Sequence, residues 1–311
     1  EEARLFLQAL RQVLRYLGVS TGNMEEGAFR CDANISQRTH DGQRQWPKTE
    51  IKNLNSFRSV ERALAYEERR QRAAIQRGEP LIQETRGWLE DQEVTVTQRA
   101  KEYPDDYRYF PEPDLPPIFL TEDDLARIRA AMPELPLARW ERFQVEYGLG
   151  PQEAALLTEE RAVADYFEAC VAGERSLARD AANWITGEIF ALMRERGRSI
   201  SEVGVQPRQL RQVIELVRRG TISTLTAKEL LTAVSETGTD PEVLVAERGL
   251  AQVSDEAQLR EIVQRVLAEN PKAVADYRKG KTAALGFLLG QVNRALGGRA
   301  NPAVARRLLE E

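Results

Sequence analysis

Apolar residues recur at spacings of three and four from the start of the chain. Leu5, Phe6, Ala9, Leu10, Val13, Leu14 and Leu17 line a predicted helix that Gly18 ends. No capping residue precedes it, so the sequence reads as a fragment lacking an N-terminal part. The next hundred residues change texture. Short stretches at 28–35, 48–52, 80–86 and 94–97 read as strands, interrupted by one helix over 56–77 with Val60, Leu64 and Ala74 on its apolar side and Gly78 at its end. Residues 103–117, YPDDYRYFPEPDLPP, hold five prolines among four aromatic rings. Successive prolines exclude helix, and the rings argue for an extended, packed segment that closes a first domain.

From Thr121 onward the pattern is helical throughout. Helices are expected at 123–132, 177–196, 207–219, 224–237, 255–268 and 282–296. The second of these carries a single stripe of Leu177, Ala181, Trp184, Ile185, Ile189, Leu192 and Met193. Ser223 and Ser254 are placed to cap helices, and Asp240-Pro241, Asn270-Pro271 and Asn301-Pro302 each set a capping residue before proline at the first helical position. The predicted class is α+β: a mixed α/β part over 1–120, a helical domain over 121–240 and a small helical tail over 241–311.

Composition narrows the chemistry. The 311 residues carry a net charge of −5, one histidine and two cysteines. No apolar run approaches the ~18 residues of a membrane span. Two cysteines make no disulfide framework and no stretch resembles a signal peptide, so a cytoplasmic setting is expected. One histidine argues against His-rich metal sites and hydrolase triads, and neither common glycine-rich phosphate loop occurs. The charge is uneven, −2 over residues 1–120, −5 over 121–240 and +2 over 241–311. Residues 272–309 alone reach +7, with Asp276 as their single acid. Such a run meets a phosphate backbone or forms a solvated helical face.

Three polar strings stand out. In GNMEEGAFRCDANIS (22–36), alternation puts Arg30, Asp32 and Asn34 on one strand face, converging on a ligand or simply half-exposed, and puts Cys31 on the apolar face as a small hydrophobe. In TEIKNLNSFRSVERA (49–63), Glu50 and Lys52 share a face. Asn53, Asn55 and Ser56 then form a polar turn, and the string serves either as turn and cap or as an anion site around Lys52. Glu84 and Arg86 carry the same two readings. Asp105, Asp106, Arg108 and Glu112 taken alone suit a structural ion-pair network. His40 sits in a hairpin tip turned by Asp41-Gly42, and Gly286-x-x-x-Gly290 suggests close helix packing.

These strings, with QETRGW, DYRYFPEPDLPP, ANWITGEIFALM, ISTLTAKELL and NPKAVADYRKGKTAALGFLLGQVNRALGGRANP in the same order, resemble the B-subunit family of bacterial aspartyl/glutamyl-tRNA amidotransferases (GatB). The direct passage LPPIFLTEDDLARI favours the B type over its archaeal E relative, which inserts a domain there. The resemblance implies a cradle domain followed by helical and tail domains. It implies ATP- and Mg²⁺-dependent phosphorylation of the side-chain carboxylate of Glu-tRNA(Gln) or Asp-tRNA(Asn), then amidation by channelled ammonia. It implies subunits A and C, misacylated tRNA and the matching aminoacyl-tRNA synthetase as partners. Arg30, Asp32, Asn34, Lys52, Asn53, Asn55, Glu84, Arg86, Arg108 and Tyr109 fall inside the signature strings. Arg30 and Lys52 are expected to face anions, and Asp32, Asn34 and Asn55 to position substrate or line a channel. The metal ligands are expected upstream of Glu1. The tail would contact tRNA through Lys272, Arg278, Lys279, Lys281, Arg294 and Arg299. The alternative is a tRNA-binding or scaffold fragment with no activity of its own.

Overall fold

A computed structural model describes residues 1–100, 111–251, 256–297 and 300–311. The chain divides into two compact units, Glu1–Arg139 and Trp140–Glu311.

The first unit is built on a small mixed sheet. Helix α1 (Glu2–Leu17) is followed by β1 (Ala33–Ile35), β2 (Thr49–Lys52), α2 (Phe57–Gln76), β3 (Glu84–Leu89) and β4 (Val94–Ala100). The strand order is β1-β2-β3-β4. The outer pairs are antiparallel, while β2 and β3 are parallel, with α2 as the crossover between them. Ser56 caps α2 through its side chain as expected, accepting from the Ser59 amide at 3.0 Å. Val60 and Ala63 of α2 pack with Leu7, Phe29, Ala33, Ile51, Leu54 and Trp88.

Three expectations shift here. The strand expected at 28–35 spans only Ala33–Ile35, because a turn occupies residues 24–27 with Gly27 at φ 72°. The strand expected at 80–86 begins four residues later and runs to Leu89, in register with β2. On α1 the apolar arc is wide. Leu7 and Tyr16 are buried while Leu5 and Phe6 stay exposed, since periodicity alone does not choose which part of a broad arc packs. Residues 39–45 turn as predicted, with Arg38 bridged to Gln45 and Asp41 accepting from the Gln43 amide at 3.0 Å. Helix α3 (Glu122–Ala131) follows, held by a Thr121–Asp124 capping box.

Helices α4 (Pro136–Tyr147), α5 (Pro151–Thr158) and α6 (Arg161–Val171) come next. In the second unit one apolar core joins Phe143, Phe167, Ile185, Ile189, Leu210, Ile214, Leu230 and Leu231. The helix expected at 177–196 is interrupted. It comprises α7 (Ala178–Trp184), a π-helical turn (Ile185–Ile189) and α8 (Phe190–Arg196). Its buried stripe includes Leu177, Ala181, Ile185 and Ile189, each four residues apart, with Ala178 and Ala182 buried beside them. In a regular α-helix that spacing drifts by about 40° per step, and the wider π turn absorbs the drift. Helices α9 (Pro207–Arg218), α10 (Thr224–Thr237) and α11 (Pro241–Glu247) close this core, with Ser223 and Asp240 as side-chain caps.

The tail has its own apolar cluster, centred on Leu259, Val263, Leu285, Leu288, Val292 and Leu308. It is formed by α12 (Glu256–Glu269), α13 (Pro271–Arg278), α14 (Ala283–Ala295) and α15 (Pro302–Glu310). Asn301 caps α15 as expected. Asn270 does not cap α13; its Nδ2 donates instead to the Val266 carbonyl at 2.9 Å, finishing α12. The expected Ser254 cap lies outside the described residues.

Candidate functional site

Side chains at paired positions of neighbouring strands share a face. Asn34 pairs with Glu50, Glu50 with Thr85, and Lys52 with Gly87, so these positions belong to the sheet face away from α2. Asp32, just before β1, joins them: its Oδ2 lies 3.3 Å from Lys52 Nζ. Glu50 Oε1 stands 3.5 Å from the same nitrogen, and Glu50 Oε2 accepts from Thr85 Oγ1 at 3.0 Å. The hydrogen bond and charge of Asp32, then the charge of Glu50, raise the Lys52 pKa above its ordinary 10.5. Lys52 is therefore a firmly held cation between two carboxylates, and an incoming anion must compete with Asp32 for it.

Beside Lys52 the absence of a side chain at Gly87 has a use. A Cβ there would stand 2.3 Å from Gln98 Nε2 and 3.2 Å from Asn53 Nδ2, so both amides lean over that glycine. Asn53 adopts a left-handed φ of 63°, which asparagine tolerates better than most residues. Gln98 arrives through a bulge, since Thr85 pairs with Arg99 and Arg86 with Thr97. Sequence reasoning missed Gln98, because simple alternation along β4 does not reveal the extra residue.

The expected residues do not all gather here. Arg30 is exposed, outside the shortened β1, and among the described residues it has no ion-pair partner. Asn55 lines a separate cleft of about 420 Å³ with Arg11, Asn23, Ser56 and Phe57, where Arg11 Nη2 donates to Asn23 Oδ1 at 2.8 Å. Arg108 and Tyr109 lie outside the described residues. Cys31 is half-buried, and burial, then the charge of Asp32, push its thiol pKa up, as suits a hydrophobe rather than a nucleophile.

Glu84 and Arg86 lie on the opposite face, against α2, where they are locked into a buried network. Arg86 donates from Nη1 to Glu84 Oε1 (3.1 Å) and Thr97 Oγ1 (2.7 Å), from Nε to Thr95 Oγ1 (2.8 Å), and from Nη2 to the Thr95 carbonyl (2.7 Å). Thr97 Oγ1 in turn donates to Glu84 Oε2 at 2.7 Å, and Thr95 Oγ1 to Glu67 Oε2 at 2.8 Å. Glu67 of α2 is fully buried and accepts from Arg70 Nε at 2.9 Å and from Gln71 Nε2 at 3.1 Å. Burial pushes the Glu67 carboxyl pKa up. The hydrogen bonds from Arg70, Thr95 and Gln71, with the Arg70 charge, outweigh it and hold the pKa below the ordinary 4.5. Two carboxylates and two guanidiniums thus balance. The network pins α2 across β3 and β4 and fixes the strands from which the open face projects.

In the tail, Lys272, Arg278, Lys279, Lys281 and Arg294 line the basic segment at exposed or half-exposed positions, and Arg299 lies outside the described residues. Lys281 Nζ pairs with Asp276 Oδ1 at 3.1 Å. Arg278 and Lys279 rim a cleft of about 570 Å³ with Leu267, Pro271 and Val274. Among the described residues no group of three or more His, Cys, Asp or Glu side chains is placed to hold a metal ion, and no helix is long and apolar enough to cross a membrane.

Comparison with known proteins decides the family. A family model described as the GatB/GatE catalytic domain matches residues 1–126, and one described as the GatB domain matches residues 165–311. Over all 311 residues the sequence is 93% identical to the B subunit of the aspartyl/glutamyl-tRNA(Asn/Gln) amidotransferase of Thermomicrobium roseum. The chain belongs to the GatB family. The corresponding B subunits of a Roseiflexus species and of Carboxydothermus hydrogenoformans are 48% and 46% identical, again along the whole chain. The chain spans 64–65% of the length of these GatB relatives. The open sheet face falls within the stretch matched by the catalytic-domain model, and the basic tail within the stretch matched by the GatB domain.

Proposed function

We propose that the chain supplies part of the cradle and the RNA-binding tail of a glutamine-dependent tRNA amidotransferase GatB, working in the cytoplasm with subunits A and C. The observation that carries this is the 93% identity, along the whole chain, to a GatB protein. The reaction converts Glu-tRNA(Gln) or Asp-tRNA(Asn) to the amide. A carboxylate is a poor electrophile, so its oxygen takes the γ-phosphoryl group of ATP and ADP leaves. Neutral ammonia, released from glutamine by the glutaminase partner GatA, then displaces phosphate. The matching aminoacyl-tRNA synthetase supplies the misacylated tRNA. ATP contributes the phosphoryl group. Mg²⁺ bound with the ATP would neutralise charge on its phosphates, and among the described residues no group of three or more His, Cys, Asp or Glu side chains is placed to hold it.

In this reading Lys52 and Arg30 face anionic groups of the substrate. Asp32, Glu50, Asn34 and Asn53 provide acceptors and amides that position the amino-acid moiety and the incoming ammonia, and Asn55 contributes from its neighbouring cleft. Glu84 and Arg86 act as positioning residues, through β3. The tail binds tRNA through phosphates and shape. An adapter with no share in catalysis finds no support among the relatives.

The test is a full-length GatB assembled with its two partner subunits and assayed for ATP-dependent Gln-tRNA formation. Lys52→Ala and Arg30→Ala are expected to slow the phosphorylation step. Unchanged ADP release in both would remove these residues from the site.

A further inference from the structure

Two departures from regular backbone meet beside Lys52. Alternation along β2 would send residue 53 to the side that α2 covers. The left-handed φ of Asn53, 63°, turns its side chain back, and its Nδ2 stands 3.2 Å from where a Cβ at Gly87 would lie. The bulge between the Thr85–Arg99 and Arg86–Thr97 pairs brings in Gln98, whose Nε2 stands 2.3 Å from the same point. Gly87 leaves that point empty and pairs with Lys52 across β2 and β3. A left-handed residue with a side chain and a bulge each cost regular structure, and here both aim a primary amide at one spot.

The spot has a definite chemistry. Both groups that reach it are N–H donors, and among the described residues neither amide nitrogen donates a hydrogen bond. Two donors can share one oxygen when they stand no more than about 5.8 Å apart, twice a normal N···O distance. Their distances to the common point place these two nitrogens inside that limit. The neighbouring charges select the oxygen. Asp32 and Glu50 set two carboxylates against the single ammonium of Lys52. A free phosphate is repelled by that surplus and finds the lysine already held. An uncharged carbonyl oxygen is not repelled, and neutral donors bind it more tightly as it gains charge.

We propose that Asn53 and Gln98, meeting over Gly87, hold the acyl oxygen of the substrate's phosphorylated side chain and stabilise the charge it gains when ammonia adds. This rests on the reading of the open sheet face as part of the amidotransferase site. In that step the nitrogen lone pair forms the C–N bond, and the carbonyl π pair moves onto the oxygen between the two amides. The pair then returns, the bond from carbon to the phosphate oxygen breaks, and phosphate leaves with the bonding electrons and the proton shed by nitrogen. The amide pair therefore acts on amide formation more than on phosphoryl transfer, in which the same oxygen gains no charge.

The experiment uses full-length GatB assembled with its two partner subunits and measures Gln-tRNA formed and ADP released, beside thermal melting. Gln98→Met keeps the length of the side chain and removes its donor. Asn53→Gly keeps the left-handed backbone and removes the other donor. Each is expected to slow amide formation about tenfold, less than a buried oxyanion donor would cost, because water reaches the site. Each should also lower the amide made per ADP, since acyl phosphate that waits is cleaved by water at phosphorus. KM for ATP and the melting temperature should stay near those of the parent. Parent rates in both variants would make these amides ordinary surface groups and overturn the proposal. A fall in ADP release equal to the fall in amide would place the pair at phosphoryl transfer and overturn it too. In either case the reading of the site stands if Lys52→Ala slows ADP release, and falls if Lys52→Ala leaves it unchanged.

Discussion

The helix-covered face of the sheet buries Glu67, Glu84 and Arg86, whereas the opposite face leaves Asp32, Asn34 and the tip of Lys52 in water. Both faces mix carboxylates and cations, yet they do different work. On the covered face every charge has an opposite charge and several hydrogen bonds within the fold, which is the condition for burying charge at tolerable cost. On the open face one lysine serves two carboxylates, and the amides of Asn53 and Gln98 lean over a glycine. One face uses its polar groups to hold strands in place. The other keeps groups that a ligand can rearrange. Residue type therefore does not separate locked from open charge here; the side of the pleat does.

That contrast is sharpest at Glu67. Glu67→Ala leaves Arg70 and Arg86 without their buried carboxylate and is expected to cost about 3–5 kcal/mol in chemical unfolding. A loss below about 1 kcal/mol would erase the distinction between the faces. Acid gives the next effect. The folded pKa of Glu67 lies below its ordinary 4.5, so its contribution is complete above that pH and is lost as pH falls through the lower folded value. Urea midpoints measured across the acid range should fall in that window, and Glu67→Gln should flatten the fall. An identical acid slope in the variant would assign the effect to other carboxylates.

Lys52→Ala, on the open face, is expected to change stability by no more than about 1 kcal/mol, since its partners are exposed or half-exposed. A larger loss would make Lys52 structural and weaken its case as a site residue. The smallest effect is expected at Gly87→Ala. The added Cβ meets first the far end of the Gln98 side chain, which moves aside. Stability should shift by less than about 1 kcal/mol. In the assembled enzyme the substrate KM should move if Gln98 and Asn53 line the site.

Parts of both faces were legible in the sequence. Period-two alternation put Glu50 and Lys52 together, and the polar turn with its Ser56 cap was readable before α2. The network is hard to see locally, because EERRQR at residues 67–72 puts five charges in six positions of one helix. A signal was present: the stripe that starts at Val60 and Ala63 reaches Glu67, Gln71 and Ala74 by steps of three and four, and all five are buried. Polar residues on a core-facing stripe mark a buried network, but their partners lie on β3 and β4, beyond local reading. Arg30 shows the converse. Its place beside Asp32 and Asn34 rested on a strand that a turn cuts short.

Local patterning by itself determined the class, the helical character of the chain from Thr121 on though not the separate helices α4, α5 and α6, several caps, the concentration of positive charge in the tail and the strings that carry the family resemblance. These depend on neighbours three or four residues away, where backbone propensity and side-chain periodicity act directly. Only the tertiary structure decided which sheet face α2 covers, that Glu84 and Arg86 face Glu67 while Lys52 faces Asp32, and that among the described residues nothing packs on Gly286 and Gly290. Strand register and helix docking bring together residues far apart in sequence, 20 positions for Lys52 and Asp32 and 28 for Thr95 and Glu67. Such pairings follow from how whole elements bury their apolar surface, and no window of sequence contains that choice.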